Sequence, residues 1–268
     1  MKAAAISGYY LRLALAIAVP LFAAACQQKK VPAAAQALSG PVDPVVATIN
    51  DQPVTAEEYR LVMERKTAVV FSYFKEHGNL DDHPGYWSES TGAEGPLARL
   101  RKVVQEELIR IKVIQGEAKK KGLVGETSFA DFKAGFEREN ARRSAVRQTG
   151  GVVYGPTQYR LAAYYYIRLG ELDYKLTQAL AQSAEAGVTK NDIETFYQEN
   201  QASLKEAPLD DELQRRIRLV LANQKAEKEL ANLRASVRVE IKEETLSSIV
   251  PRVDPGAGQT GAGLGRQD

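Results

Sequence analysis

Few residues in this chain have side chains suited to an active site, and their spacing limits what they can do. His77, Asp81, Asp82 and His83 offer ligand atoms that a zinc ion accepts. Their spacing matches no metal signature, and the run HGNLDDHPGYW is polar and turn-forming, which predicts a solvated loop. The carboxylate pairs Glu57 with Glu58, Glu106 with Glu107 and Asp210 with Asp211 invite an acid–base reading. Consecutive helical residues point in different directions, so these pairs predict caps and solvated faces instead. The one cysteine, Cys26, lies at the end of an apolar N-terminal run. The body behind it therefore has no thiol for a nucleophile, a disulfide or a thiolate metal site. Nucleophile-elbow and phosphate-loop patterns are also missing. No catalytic residue, metal ligand or cofactor site is assigned.

The remaining chemistry is that of contact surfaces. Tyr164, Tyr165 and Tyr166, with Tyr154 and Tyr159 nearby, concentrate aromatic side chains that combine large contact area with low conformational cost. Met63, Phe71 and Phe74 could add an adaptable apolar surface. Met63, Phe71, Phe74, Tyr164 and Tyr165 are the candidate polypeptide-binding residues, and core packing is the competing reading for each. Lys plus Arg number 36 against 34 Asp plus Glu, with the signs interspersed, so nothing resembles a basic stripe for nucleic acid.

These side chains need elements to position them. Residues 1–25 have the layout of a signal peptide: Lys2 and Arg12, then LALAIAVPLFAAA, then Cys26. The apolar run is shorter than the ~20 residues a spanning helix needs, and Pro20 weakens it further. A cysteine directly after AAA resembles the bacterial lipoprotein signal, which implies acylation of Cys26, a membrane anchor and residence on the periplasmic side of the outer membrane. Residues 26–44 read as a flexible tether, and residues 250–268, rich in Gly, as a disordered tail. The folded body is then 45–249.

Within the body, VVATIN predicts a short strand ended by the turn formers Asn50 and Asp51. Thr55 with Glu58 reads as a capping box opening a helix to about His77. Pro96 opens a second helix that ends near Lys121, and Ser128 a third, with Phe129, Phe132 and Phe136 on one stripe. The polar half of that third helix, Glu137 to Gln148, predicts an exposed or fraying segment. A long helix follows Pro156 and Thr157, Thr189 and Asp192 cap another, and a last helix runs from Pro208 to about Ala235. Val237, Val239 and Ile241 then alternate with charged residues as a half-buried strand, whose partner must be VVATIN. The expected fold is mainly α, a helical domain closed by a two-stranded sheet that joins its ends.

Three segments in this order, VVATINDQPVTAEEYR, GVTKNDIETFYQENQASL and Ala207 to Ile241, resemble the parvulin-type foldases and chaperones of the SurA and PrsA kind. The resemblance implies a SurA-like, trigger-factor-like chaperone core. In that family a prolyl isomerase domain sits between the second segment and the third. Here only Lys205 and Glu206 separate them, so the resemblance implies the chaperone module without the enzyme.

The function expected from the sequence is a membrane-tethered extracytoplasmic chaperone or assembly factor that binds unfolded or extended exported polypeptides without a cofactor. Two alternatives stay open: an accessory or scaffold lipoprotein for one specific partner of an export or envelope complex, and a prolyl isomerase with an unrecognised site.

Overall fold

Asn50 and Asp51 both adopt positive φ, 46° and 65°, the backbone of the two-residue turn that matches the twist of a β-hairpin. The chain therefore folds back as β1 (Val45–Ile49) and β2 (Gln52–Thr55). The computed structural model describes residues 43–89, 94–204 and 207–251. The signal sequence with Cys26, most of the tether and all of the tail after residue 251 lie outside them.

β3 (Val239–Ile241) pairs antiparallel with the free edge of β1, with Ala47 opposite Ile241 and Ile49 opposite Val239. The two ends of the fold do meet, as the sequence predicts, but the sheet has three strands in the order β2-β1-β3. QPVT escaped notice because Pro53 argues against a strand, and an edge strand such as β2 tolerates it. The folded part also begins slightly before residue 45. The Asp43 carboxylate accepts from the Glu57 backbone N–H at 3.1 Å, and the Pro44 carbonyl from Ala56 at 2.8 Å. Those contacts occupy two donors of the first turn of α1 (Ala56–Gly78).

α1 packs against α2 (Pro96–Lys120), and α4 (Leu161–Glu185) lies against α2 and along α6 (Asp211–Ala235). Val62, Val70, Leu100, Val104, Leu108, Leu169, Leu176 and Leu230 are among the apolar side chains that fill the space between them. The β-hairpin is seated on α2. Gln52 Nε2 donates to the Lys112 carbonyl at 2.9 Å, and a Cβ at Gly116 would stand 2.8 Å from that same nitrogen. A short α7 (Glu243–Ser247) follows β3, and Leu246, Ile249 and Pro251 are buried, so the packed chain runs past residue 249.

α5 (Lys190–Asn200) and the first half of α6 form a small core of their own from Val188, Ile193, Leu213, Ile217 and Ala222. α3 (Phe129–Gln148) is helical to its end, although most of its polar half is exposed. Among the described residues no helix is long and apolar enough to cross a membrane.

A polar triangle lies inside the apolar core. Glu58 and Lys112 are 0% and 2% exposed, and Lys112 Nζ donates to both Glu58 carboxylate oxygens at 2.9 and 2.8 Å. The Tyr165 hydroxyl donates to Glu58 at 2.7 Å. Burial, reinforced by the negative charge of Glu58, pushes that hydroxyl well above the usual tyrosine range. The capping box at α1 is thus only half made. Thr55 Oγ1 accepts from the Glu58 N–H at 3.4 Å, while the Glu58 side chain turns into the core.

Nearer the surface, Lys66 of α1 and Arg110 of α2 both donate to Glu107, at 2.9 and 3.0 Å, and Arg110 reaches Asp173 of α4 at 3.0 Å. Burial raises the Glu107 carboxyl, but the bonds from Arg110 and Lys66 outweigh it and hold the group below its ordinary range. Glu107 is therefore a junction between helices rather than part of a solvated face.

Breaking a buried pair strands one charge. Lys112→Met should lower the unfolding free energy by about 3–5 kcal/mol in urea titrations, and adding Glu58→Leu should restore a substantial part of it. Equal loss in the single and double variants would show that the pair is not a coupled unit.

Candidate functional site

Phe129, Phe132 and Phe136 recur at helical spacing on α3, and only the first turn of that helix reaches the core. Ser128 caps it, its Oγ accepting from the Asp131 N–H at 3.0 Å. Phe129 is buried against Tyr165, with ring centroids 5.9 Å apart. Beyond Phe136 the helix has little apolar surface to bury, so no apolar seam draws it onto α4. The result is a solvent-open cleft of about 690 Å³ between α3, the first half of α4 and the segment 123–128 that follows α2.

Its lining is aromatic and aliphatic below and charged above. Phe132 meets Tyr165 edge to face with centroids 4.9 Å apart, and Tyr164 lies 5.5 Å from Phe132 and 5.8 Å from Phe136. Leu123, Leu169 and Leu172 complete the apolar part. Gly135 stands on the wall, where an added Cβ would come no closer than 3.8 Å to Arg138 and 3.9 Å to Tyr164. A glycine inside a helix costs up to about 1 kcal/mol relative to alanine.

The charged groups of the rim are mostly paired. Arg142 and Arg143 both donate to Glu139, and the bond from Arg142 is the main reason its carboxyl lies down at about 2. Arg168 pairs with Glu171, and Glu126 with Lys119 at 3.0 Å.

Arg143 also organises the loop 151–160. Only 7% exposed, it donates to the carbonyls of Tyr154 at 3.0 Å and Pro156 at 2.7 Å and to the Tyr159 hydroxyl at 2.8 Å. Asn140 adds a two-way clasp on the Tyr159 backbone, at 2.8 and 3.1 Å. The polar half of α3 is thus ordered by what it holds, which explains why it does not fray. α4 starts at Leu161, after this clasped loop, rather than directly after Thr157.

The candidate binding residues separate into two groups. Tyr164 and Tyr165 line the cleft, Tyr164 half-buried and Tyr165 buried with its hydroxyl turned to Glu58. Met63 and Phe74 are core side chains, 1% and 6% exposed, and present no surface to a bound chain. Their place on the inner face of α1, packed towards α2, is what corrects the sequence reading. Phe71 is half-buried against Tyr86 and Trp87, at 4.5 and 5.0 Å, and does not line the cleft.

Sequence reasoning did not pick out Gln115, Phe132, Arg138, Leu169 and Leu172 as functional. The phenylalanine stripe was visible, but periodicity alone does not tell a core stripe from a cleft wall. His77 meets the Tyr73 carbonyl at 2.8 Å, and His83 pairs with Glu89 at 3.2 Å. Among the described residues no three His, Cys, Asp or Glu side chains converge as a metal site.

The chain is similar to a chaperone. Over 152 residues, 56% of this chain, it is 23% identical to a protein of Bifidobacterium longum subsp. longum described as a chaperone for lacto-N-biosidase. The aligned part is 53% of that protein, so the chain spans about half the length of the curated relative it matches. No family model matches the chain, and no solved structure matches it significantly.

Arg143→Ala should release the loop 151–160. Limited proteolysis should cut there faster, while the midpoint of global unfolding shifts little, because the clasp lies outside the main core. An unchanged cleavage pattern would show that the loop is held by something else.

Proposed function

We propose that this protein is a chaperone that holds polypeptide in the cleft between α3 and α4, and that it serves one dedicated protein partner. The observation that carries this reading is the cleft itself: an apolar, aromatic-lined channel of about 690 Å³, open to solvent and edged by charges. Such a lining gains affinity by removing apolar side chains of the bound chain from water. Tyrosine and phenylalanine accept varied side chains at modest entropic cost.

A dedicated partner is supported by the relative, whose description couples it to one enzyme. The SurA-like and PrsA-like segments fall on β1, β2 and the start of α1, then on α5, then on α6 and β3. They support a chaperone core whose isomerase domain is absent, and hence a protein that binds without catalysis. Cys26 after AAA supports acylation and placement on the periplasmic side of the outer membrane. A tether of this kind raises the local concentration of chaperone where exported chains arrive.

Affinity purification of the full-length chain from its own cell envelope, run beside aggregation and proline-limited refolding assays, tests these readings together. The dedicated chaperone predicts one stoichiometric partner whose soluble yield falls when the chaperone is absent. Broad suppression of aggregation without such a partner would favour a general chaperone, and accelerated proline-limited refolding would restore the isomerase. Cys26→Ser should move the protein from the membrane fraction to the soluble fraction, and unchanged sedimentation would rule out the lipid anchor.

A further inference from the structure

The pairing of charges around the cleft points to the kind of chain it holds. Four cations, Arg138, Arg142, Arg168 and Lys175, and four carboxylates, Glu126, Asp131, Glu139 and Glu171, line it, so the formal charge is balanced. The contacts are not. Each carboxylate is already engaged: Glu126 by Lys119, Asp131 by the Ser128 hydroxyl at the start of α3, Glu139 by Arg142 and Arg143, and Glu171 by Arg168. Lys119 and Arg143 are additional cations that neutralise the rim from outside the lining. Arg138 and Lys175, one on each wall, form no ion pair among the described residues. Asp131 meets only a neutral hydroxyl, so two cations stand against one carboxylate and the net uncommitted charge at the mouth is positive.

Gly135 keeps the α3 wall of the cleft free of a side chain.

Taking as its basis the reading that polypeptide binds here, we propose that the cleft selects extended segments in which an apolar or aromatic side chain is flanked by carboxylates. The apolar side chain rests on Phe132, Tyr164 and Leu172. The flanking Asp or Glu side chains reach Arg138 and Lys175. Exposed ion pairs contribute modestly, so the expected preference for glutamate-flanked over lysine-flanked peptides is about tenfold in Kd at low salt, shrinking as salt is added.

The test is fluorescence anisotropy with the full chain and short labelled peptides that share a Leu-Phe-Leu centre and carry glutamate, serine or lysine flanks. Wild type should bind in the order glutamate, serine, lysine. Arg138→Glu combined with Lys175→Glu should reverse that order. Gly135→Leu should weaken all three without lowering thermal stability, since leucine favours the helix and fills only the cleft. Equal binding of the three peptides, abolished by Gly135→Leu, would overturn the charge selection and leave the cleft reading standing. Binding unaffected by Gly135→Leu, or no binding of any peptide, would overturn both.

Discussion

Glu58, Lys112 and Tyr165 close a polar triangle in a core that is otherwise apolar, and each comes from a different helix. Charges taken out of water are tolerated only when their hydrogen bonds are made inside, so α1, α2 and α4 are confined to the arrangement that brings Lys112 and Tyr165 each within 3 Å of the Glu58 carboxylate. Apolar contacts alone would hold the helices together with a looser register. The third member has a further part to play. Tyr165 turns its hydroxyl to Glu58 and its ring to the cleft, where Phe129 and Phe132 pack against it. Tyr165 thus links the internal ion pair to the wall of the cleft.

The cleft exists because α3 is only half committed to the core. Phe129 anchors its first turn, while the later turns carry Glu139, Asn140, Arg142 and Arg143, which bond to one another or to the loop 151–160. An isolated helix of this composition would be marginal in water. Its order here comes from polar contacts with the loop, which hold the wall in place without closing it against α4. The cleft is left open and formed in advance, which in the proposed role lowers the ordering cost of capturing a flexible chain.

Much of the architecture was legible in the sequence because it follows local rules. The caps at Thr55, Ser128, Thr189 and Asp210 all form, and the pairing of the last strand with the first follows from an amphipathic strand with a single available partner. What escaped depends on tertiary context. Glu58 fits a capping box equally well whether its carboxylate turns back to the helix or into a core, and only Lys112, 54 residues away, decides between them. β2 was hidden by Pro53, and α7 is too short to show a helical period. At the site, Tyr164 and Tyr165 were legible as an aromatic concentration, but Met63 and Phe74 on α1 look no different in sequence from residues that face a cleft.

The central claim is that polypeptide is held between α3 and α4. Hydrogen–deuterium exchange of the full chain, alone and bound to the partner that co-purifies with it, addresses this most directly, because the solvent-exposed turns of α3 exchange readily unless something covers them. The account predicts slowed exchange over 123–142 and 161–175 in the complex, with the β1–β2 hairpin and α5 unchanged. Protection confined to α5 and α6, with α3 exchanging as it does in the free protein, would contradict it.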